Sequence, residues 1–122
     1  MTEELFDEKG RPIAGRPIGT GQETGETTNA YVSALNWDTR FLRDKSILLK
    51  NTDDANGLKY KLLTQFYYGG EDYLEVSERT LALGETVTFQ YTKPYACIKL
   101  QVKAAVDDSQ ADYLVEYIGY GV

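Results

Sequence analysis

Apolar and polar residues alternate most regularly in the last third of the chain. In residues 95–103, Ile98, Leu100 and Val102 fall on one face of an extended chain, and polar residues fall on the other. The alternation resumes in residues 111–120 after a short polar stretch. Side chains along a strand point to opposite faces with period two, so each segment predicts a strand with one buried side. We expect the two strands to form a hairpin at the centre of an antiparallel sheet.

Similar but shorter patterns precede this pair, and turn residues separate them. No segment longer than about eight residues keeps apolar residues at helical spacing. Asn56-Gly57 is the strongest local turn signal, and we interpret it as a hairpin turn. The count of about seven short strands predicts an all-β fold, a single antiparallel β-sandwich of the Ig-like or Greek-key type. The other predicted strands lie in residues 30–37, 46–51, 58–68, 73–76 and 86–91.

Residues 1–29 differ in composition from the rest, and we divide the chain into this arm and a sandwich domain of residues 30–122. The near-repeat at 10–19, two Gly-Arg-Pro-Ile segments joined by Ala14, favours extended chain, because proline fixes φ and restricts the preceding residue. One interpretation is a disordered terminus. The other is a flexible, extended arm whose Phe6, Ile13 and Ile18 bind a neighbouring subunit at a sheet edge.

Composition and charge narrow the choice of partner. The 122 residues carry a formal net charge of −6, with a sequence pI near 4.6. Nucleic acids and anionic membranes attract basic surfaces, so we expect neither as a partner. The first residues are acidic and do not resemble a signal peptide, so we expect synthesis in the cytoplasm without export by a cleaved signal. Ten tyrosines suit half-buried sheet positions and interfaces.

Few residues suggest catalysis. The chain has no histidine, which removes the commonest general base and zinc ligand. Cys97 lies in an alternating segment without a visible partner base, so we interpret it as a small, semi-buried strand residue. The acidic turn at 53–57 does not have the spacing of a calcium loop, and Asp107-Asp108 is likewise interpreted as a turn. We expect no enzymatic activity, no cofactor and no metal.

An aromatic loop region is the remaining candidate site. Tyr67 and Tyr68 precede Gly69-Gly70, and Tyr73 follows them. These rings could form a stacking platform for sugars, or they could belong to a sheet edge or a subunit contact. We favour the contact with a protein partner. Trp37, in contrast, is expected to pack in the core or against a sheet.

Three segments, residues 47–52, 56–61 and 94–103, resemble small Ig-like β-sandwich modules of tailed-phage virion proteins. The likeness covers about residues 46–122. Together with the acidic charge and the Gly/Pro-rich arm, it is most similar to a capsid decoration (cementing) protein. The resemblance implies a non-enzymatic structural protein of the virion that binds and stabilises a protein lattice, often as a homotrimer. It transfers no site residues.

Two other functions stay open from the sequence. The first is a carbohydrate-binding module on a tail or cell-surface protein, for which the aromatic loop region would bind a glycan. The second is a filament subunit whose arm adds a strand to the sheet of the next subunit.

Overall fold

Eight β-strands account for most of the chain in the computed structural model, which describes residues 17–27 and 30–121, with side chains from residue 20 onward. Within these residues no helix is long and apolar enough to cross a membrane. The strands are β1 (Pro17–Glu26), β2 (Val32–Asp38), β3 (Leu42–Asn51), β4 (Leu58–Gln65), β5 (Tyr73–Leu81), β6 (Thr86–Tyr91), β7 (Cys97–Ala104) and β8 (Asp112–Gly121).

The strands form two antiparallel four-stranded sheets that pack face to face. One sheet has the order β1-β8-β3-β6 and the other has the order β2-β7-β4-β5. The predicted all-β sandwich is therefore confirmed, with eight described strands where the sequence suggested about seven. Except for β4 and β5, consecutive strands alternate between the two sheets. This connectivity is that of a jelly roll, an eight-stranded sandwich built from two Greek keys.

The predicted hairpin of residues 95–103 and 111–120 is wrong. Both strands exist, as β7 and β8, but each lies inside a different sheet: β7 pairs with β2 and β4, and β8 pairs with β1 and β3. The Asn56-Gly57 turn also joins strands of different sheets instead of a hairpin. The reason is the burial of apolar side chains. When a connection crosses from one sheet to the other, the two strands that it joins bury their apolar side chains against each other in the core.

The core lies between the sheets and is built from the predicted alternation. Ile98, Leu100 and Val102 of β7 are fully buried, and they face Val115 and its neighbours on β8. Trp37 is in this core, as predicted, and its ring centroid lies 4.9 Å from that of Tyr117 in the other sheet. Aromatic pairs at this separation contribute about 0.5–1.5 kcal/mol beyond their buried area.

Strand β1 lies within the segment that we expected to be an arm. It pairs with β8 in register from Gly19 to Glu26, whereas residues 1–16, 28 and 29 lie outside the described part of the chain. Its sequence is polar and glycine-rich, so it shows no apolar alternation. Gly21 and Gly25 are opposite Tyr117 and Tyr113, and a Cβ at either glycine would overlap the facing ring. The glycines therefore let tyrosine rings cover the inner face of this edge strand.

A lysine side chain closes one corner of the core. Lys45 on β3 is 0% exposed, and its Nζ donates hydrogen bonds to three backbone carbonyls. The acceptors are Leu42 O at 3.0 Å, Arg43 O at 3.2 Å and Lys93 O at 2.7 Å. Burial lowers the pKa of Lys45. The third bond joins the start of β3 to the β6–β7 connection, so this side chain fastens two separate segments.

We expect Gly21→Ala to destabilise the protein, because the new methyl group would displace the Tyr117 ring from its contact with Trp37. Overpacking of this kind costs about 1–3 kcal/mol. Urea denaturation measures the loss, and Thr24→Ala on the exposed face of the same strand is the control. In a double-mutant cycle with Tyr117→Leu, the cost of Gly21→Ala should shrink; an unchanged cost would contradict the proposed contact.

Lys45→Met should destabilise the fold because three backbone carbonyls lose the buried donor that they share. An unsatisfied buried polar group costs about 1–3 kcal/mol. Lys50→Met changes the same residue type at an exposed position of the same strand, and it should stay within about 0.5 kcal/mol of the parent. Equal unfolding free energies for the two variants, measured by chemical denaturation, would argue against this role of Lys45.

Candidate functional site

Three connections meet at one end of the sandwich, and hydrogen bonds tie them together. They are residues 39–41, 66–72 and 92–96. Thr39 donates from its backbone N–H to Ala96 O at 3.0 Å and from its hydroxyl to Tyr95 O at 2.6 Å. Ala96 in turn donates its N–H to Gln65 O at 2.6 Å. The three connections therefore form one joined base for the side chains that they carry.

Gln65, at the end of β4, organises the connection to β5. Its Nε2 donates to Gly70 O at 3.2 Å and to Asp72 Oδ1 at 2.7 Å, and its Oε1 accepts the N–H of Gly69 at 3.1 Å. The bond from Gln65 is the main cause of a lowered pKa at Asp72, and Lys99 adds an ion pair at 3.2 Å. Gly69 has φ of 80°, a conformation that favours glycine. The side chain of Gln65 therefore fixes the conformation of this connection.

Aromatic rings project from this base into solvent. Tyr95 is buried, and the ring of Phe66 rests on it with centroids 5.3 Å apart. Phe66 also contacts Tyr73 at 6.0 Å. Nevertheless, Phe66 is 58% exposed and Tyr67 is 81% exposed. Large apolar side chains that are exposed together, on a structured base, are typical of a contact surface.

Arg40 joins this group from the β2–β3 connection. Its Nε and a terminal nitrogen donate to the two carboxylate oxygens of Asp38, at 3.0 and 2.7 Å. This pairing raises the pKa of Arg40 and lowers that of Asp38. The guanidinium carbon lies 4.0 Å from the ring centroid of Tyr68 and 5.8 Å from that of Phe41. Asp38 therefore orients a cation against two aromatic rings.

We call this surface the aromatic end. A depression of about 460 Å³ opens beside its rings, with Pro94, Tyr95 and Ala96 on the remaining side. Arginine and tyrosine are enriched in the residues that dominate the energy of protein interfaces. Across the described residues, no three His, Cys, Asp or Glu side chains converge as a metal site would require. The members of the aromatic end are Arg40, Phe41, Phe66, Tyr67, Tyr68 and Tyr73.

The structure brings together one group of predicted partner-binding residues. Tyr67, Tyr68 and Tyr73 all lie at the aromatic end and are exposed. Phe6 and Ile13 lie outside the described residues. Ile18 is part of β1, where the pairing is irregular between Pro17 and Gly19, but its side chain is not among those described.

Sequence reasoning missed half of the aromatic end. The sequence predicts a strand over residues 58–68, which would include Phe66, but β4 ends at Gln65. Arg40 and Phe41 lie 25 or more residues earlier in the chain, in a stretch without a clear pattern. The adjacent Arg40 and Phe41 in a stretch without alternation were the available signal, but only the fold places them beside the β4–β5 connection.

Comparisons with known proteins show the fold and no family. No protein-family model matches the chain, and no curated protein matches it in sequence. Similar solved structures include the Yersinia pseudotuberculosis-derived mitogen, with 8% identity over 84% of this chain and 86% of that one, and a TM-score of 0.57. The SPBc2 prophage-derived protein YomS has 10% identity over 88% and 98% of the two chains, with a TM-score of 0.55.

A Bacillus endospore appendage protein, from a family of disulfide-linked pili, has 7% identity over 90% and 95% of the chains, with a TM-score of 0.52. These proteins differ in what their names say they do. The shared feature is a small β-sandwich that occurs in structural proteins and in other classes alike. The likeness therefore establishes the architecture of this chain, and the function must be argued from its surfaces.

We expect stability to fall between about pH 10 and pH 12. Burial, with the nearby Glu75 carboxylate, raises the pKa of Tyr91 and of Tyr95 to about 12 from the ordinary 10.0. Above pH 10 the unfolded chain loses these protons while the folded chain keeps them, so unfolding becomes easier. The double variant Tyr91→Phe/Tyr95→Phe should show a shallower fall in unfolding free energy.

Urea denaturation at a series of pH values measures this dependence. Tyr67→Phe removes a phenol from the exposed part of the same surface, and it is the matched control. If the double variant and the parent lose stability equally over this range, the two hydroxyls do not titrate as buried groups.

Proposed function

We propose that this chain is a non-enzymatic structural protein of a virion, a capsid decoration protein that binds and stabilises a protein lattice through its aromatic end. The observation that carries the proposal is the set of exposed rings on a hydrogen-bonded base, with Phe41 77% and Tyr67 81% exposed. A monomeric soluble surface rarely gathers such rings at one place unless a partner covers them. The resemblance of residues 46–122 to phage β-sandwich modules supports the choice of partner.

The aromatic end suits a protein partner because it is arranged before binding. Ordering a side chain at an interface costs about 0.5–1.5 kcal/mol. Here Tyr95 supports Phe66, Asp38 holds Arg40, and Gln65 fixes the connection between β4 and β5. Much of this ordering of side chains therefore takes place during folding and not on binding. A docking protein that must hold a lattice for long periods benefits from such an arrangement, because slow dissociation underlies tight binding.

The charge of the chain agrees with a protein lattice as the partner. With a net charge of −6, attraction to nucleic acid or to an anionic membrane is weak, and we propose neither as a partner. The aromatic end itself combines apolar area with one oriented cation, Arg40, which can pair with a carboxylate of the lattice. No cofactor is required for this role.

Self-association is part of the proposal. In line with the resemblance, we propose a homotrimer in which the N-terminal segment contacts a neighbouring subunit, with Phe6, Ile13 and Ile18 as apolar anchors. Light scattering on the purified chain measures the assembly state. This association is independent of the aromatic end, so variants of that surface should keep the oligomeric state of the parent.

A glycan is the second candidate ligand for the same residues. A site that binds sugars by ring stacking, unlike one that uses side-chain hydrogen bonds and aliphatic contacts, needs rings that present a common flat surface. At the aromatic end the planes of Phe66 and Tyr73 are inclined by 66°, and those of Phe66 and Tyr95 by 64°. This geometry fits an irregular protein surface better than a sugar ring, and it is the reason we place the lattice first.

Co-sedimentation with capsids purified from the source culture tests the proposal. The full chain should pellet with the particles, and Phe66→Ser/Tyr67→Ser should weaken binding at least about thirtyfold, which corresponds to about 2 kcal/mol for one dominant aromatic residue. Leu83→Ser is the matched control, because Leu83 is also exposed but lies in the connection between β5 and β6 at the other end.

Equal binding by the parent and the double variant would show that another surface docks. Failure of the full chain to bind any particle would overturn the proposed role itself. Circular dichroism and light scattering on each variant confirm that the fold and the assembly state are retained, so a loss of binding reports on the surface alone.

A further inference from the structure

A second concave surface lies on the outer face of the β1-β8-β3-β6 sheet. It is a shallow groove of about 670 Å³ that crosses all four strands and shares no lining residue with the depression at the aromatic end. This volume is within the range of about 300–1,000 Å³ that small-molecule sites occupy. Two cross-strand rows line it, each with one residue from every strand. They are Gln22, Glu116, Leu48 and Thr88, and Thr20, Ile118, Ser46 and Gln90.

The groove has an apolar floor and polar sides. Leu48 and Ile118 are half-buried at its middle, because β3 and β8 are the inner strands of the sheet. Exposed amide and hydroxyl side chains stand on the two edge strands, β1 and β6. A ligand lying across the strands would rest on aliphatic carbon and find hydrogen-bonding groups on both sides.

The polar side chains of this groove are available for a ligand. Six polar side chains line it, and among residues 17–27 and 30–121 none of the six hydrogen-bonds to another residue. They are therefore not needed to satisfy a polar group of the protein. The six are Thr20, Gln22, Ser46, Thr88, Gln90 and Glu116.

Charge and backbone pairing limit the class of ligand. The lining contains no lysine or arginine and one carboxylate, Glu116, so phosphates, sulfates and acidic chains are disfavoured. The backbones of β8 and β3 are paired on both sides, so a peptide cannot add as a strand on the floor. Recognition must use side chains alone. Amides and a carboxylate can bridge neighbouring hydroxyl groups, and Leu48 can contact C–H groups.

We propose that this groove binds a short neutral oligosaccharide. Gln22 and Glu116 contact hydroxyl groups on the β1 side, and Gln90 with Thr88 does so on the β6 side. Leu48 and Ile118 support the apolar face of the sugar. The site is separate from the aromatic end, so the protein can hold a lattice at one surface while it presents the other to a glycan.

An array of neutral and acidic glycans, probed with the full chain, identifies the ligand, and calorimetry then measures its affinity. We expect binding to neutral glycans. Gln22→Ala/Gln90→Ala should weaken it about thirtyfold, which corresponds to the loss of two hydrogen bonds of about 1 kcal/mol each. Gln101→Ala changes the same residue type on the outer face of the other sheet, and it should leave the affinity unchanged.

A second variant, Leu48→Lys, fills the floor with a flexible cation without touching the core, and it should abolish binding while circular dichroism stays unchanged. The inference is overturned if no neutral glycan binds, if only acidic glycans bind, or if the double glutamine variant binds like the parent. Loss of glycan binding in Phe66→Ser/Tyr67→Ser, with the groove variants unaffected, would overturn it as well, because it would place the sugar at the aromatic end.

Discussion

The contact between the inner faces of the two sheets is the constraint on which the rest of this structure depends. Trp37 of one sheet contacts Tyr117 of the other. Gly119 leaves room for the Trp37 indole, since a Cβ at this position would lie 2.9 Å from it. Around this contact, Leu100 and Val115 complete an interior without access to water. Except for β4 and β5, consecutive strands alternate between the sheets, which brings apolar side chains to the core from both sides and leaves the connections at the two ends.

The connections at the two ends of the sandwich are arranged differently. At one end, polar side chains bind the connections to one another: the buried amide of Asn51 donates to Asn56 O and Leu81 O, and Asp53 accepts the N–H of Asp112. At the aromatic end, hydrogen bonds join the backbones of the three connections, and the aromatic rings that these connections carry point into solvent. The connections at one end are therefore bound to one another by polar side chains, whereas those at the other end carry exposed rings.

The two outer faces of the sandwich differ in charge as well as in shape. The β2-β7-β4-β5 face carries Lys61 and Lys103 near the Tyr31 ring, with their Nζ atoms 4.3 and 5.1 Å from its centroid. Tyr31 hydrogen-bonds to Glu78, which is also paired with Lys59. These groups satisfy one another, whereas the polar groups of the opposite groove do not. The two faces therefore differ in how far their polar side chains are paired within the protein.

The sequence alone determined the strands and their buried faces, because alternation with period two is a local property of the chain. Ile98, Leu100 and Val102 were predicted to be buried for this reason, and Tyr67, Tyr68 and Tyr73 were predicted to form one aromatic region because they are close in the chain. It could not reveal β1, where Gly21 is covered by a ring from β8 rather than by its own side chain.

Which sheet each strand joins was decided only in three dimensions, since a polar turn fits a hairpin and a crossing of the core equally well. The same holds for the meeting of Arg40 with Tyr68 and for the rows of the groove, which unite four strands far apart in the chain. Periodicity is a property of neighbouring residues in the chain. The pairing of distant strands depends instead on the free energy of forming the core that all the strands share.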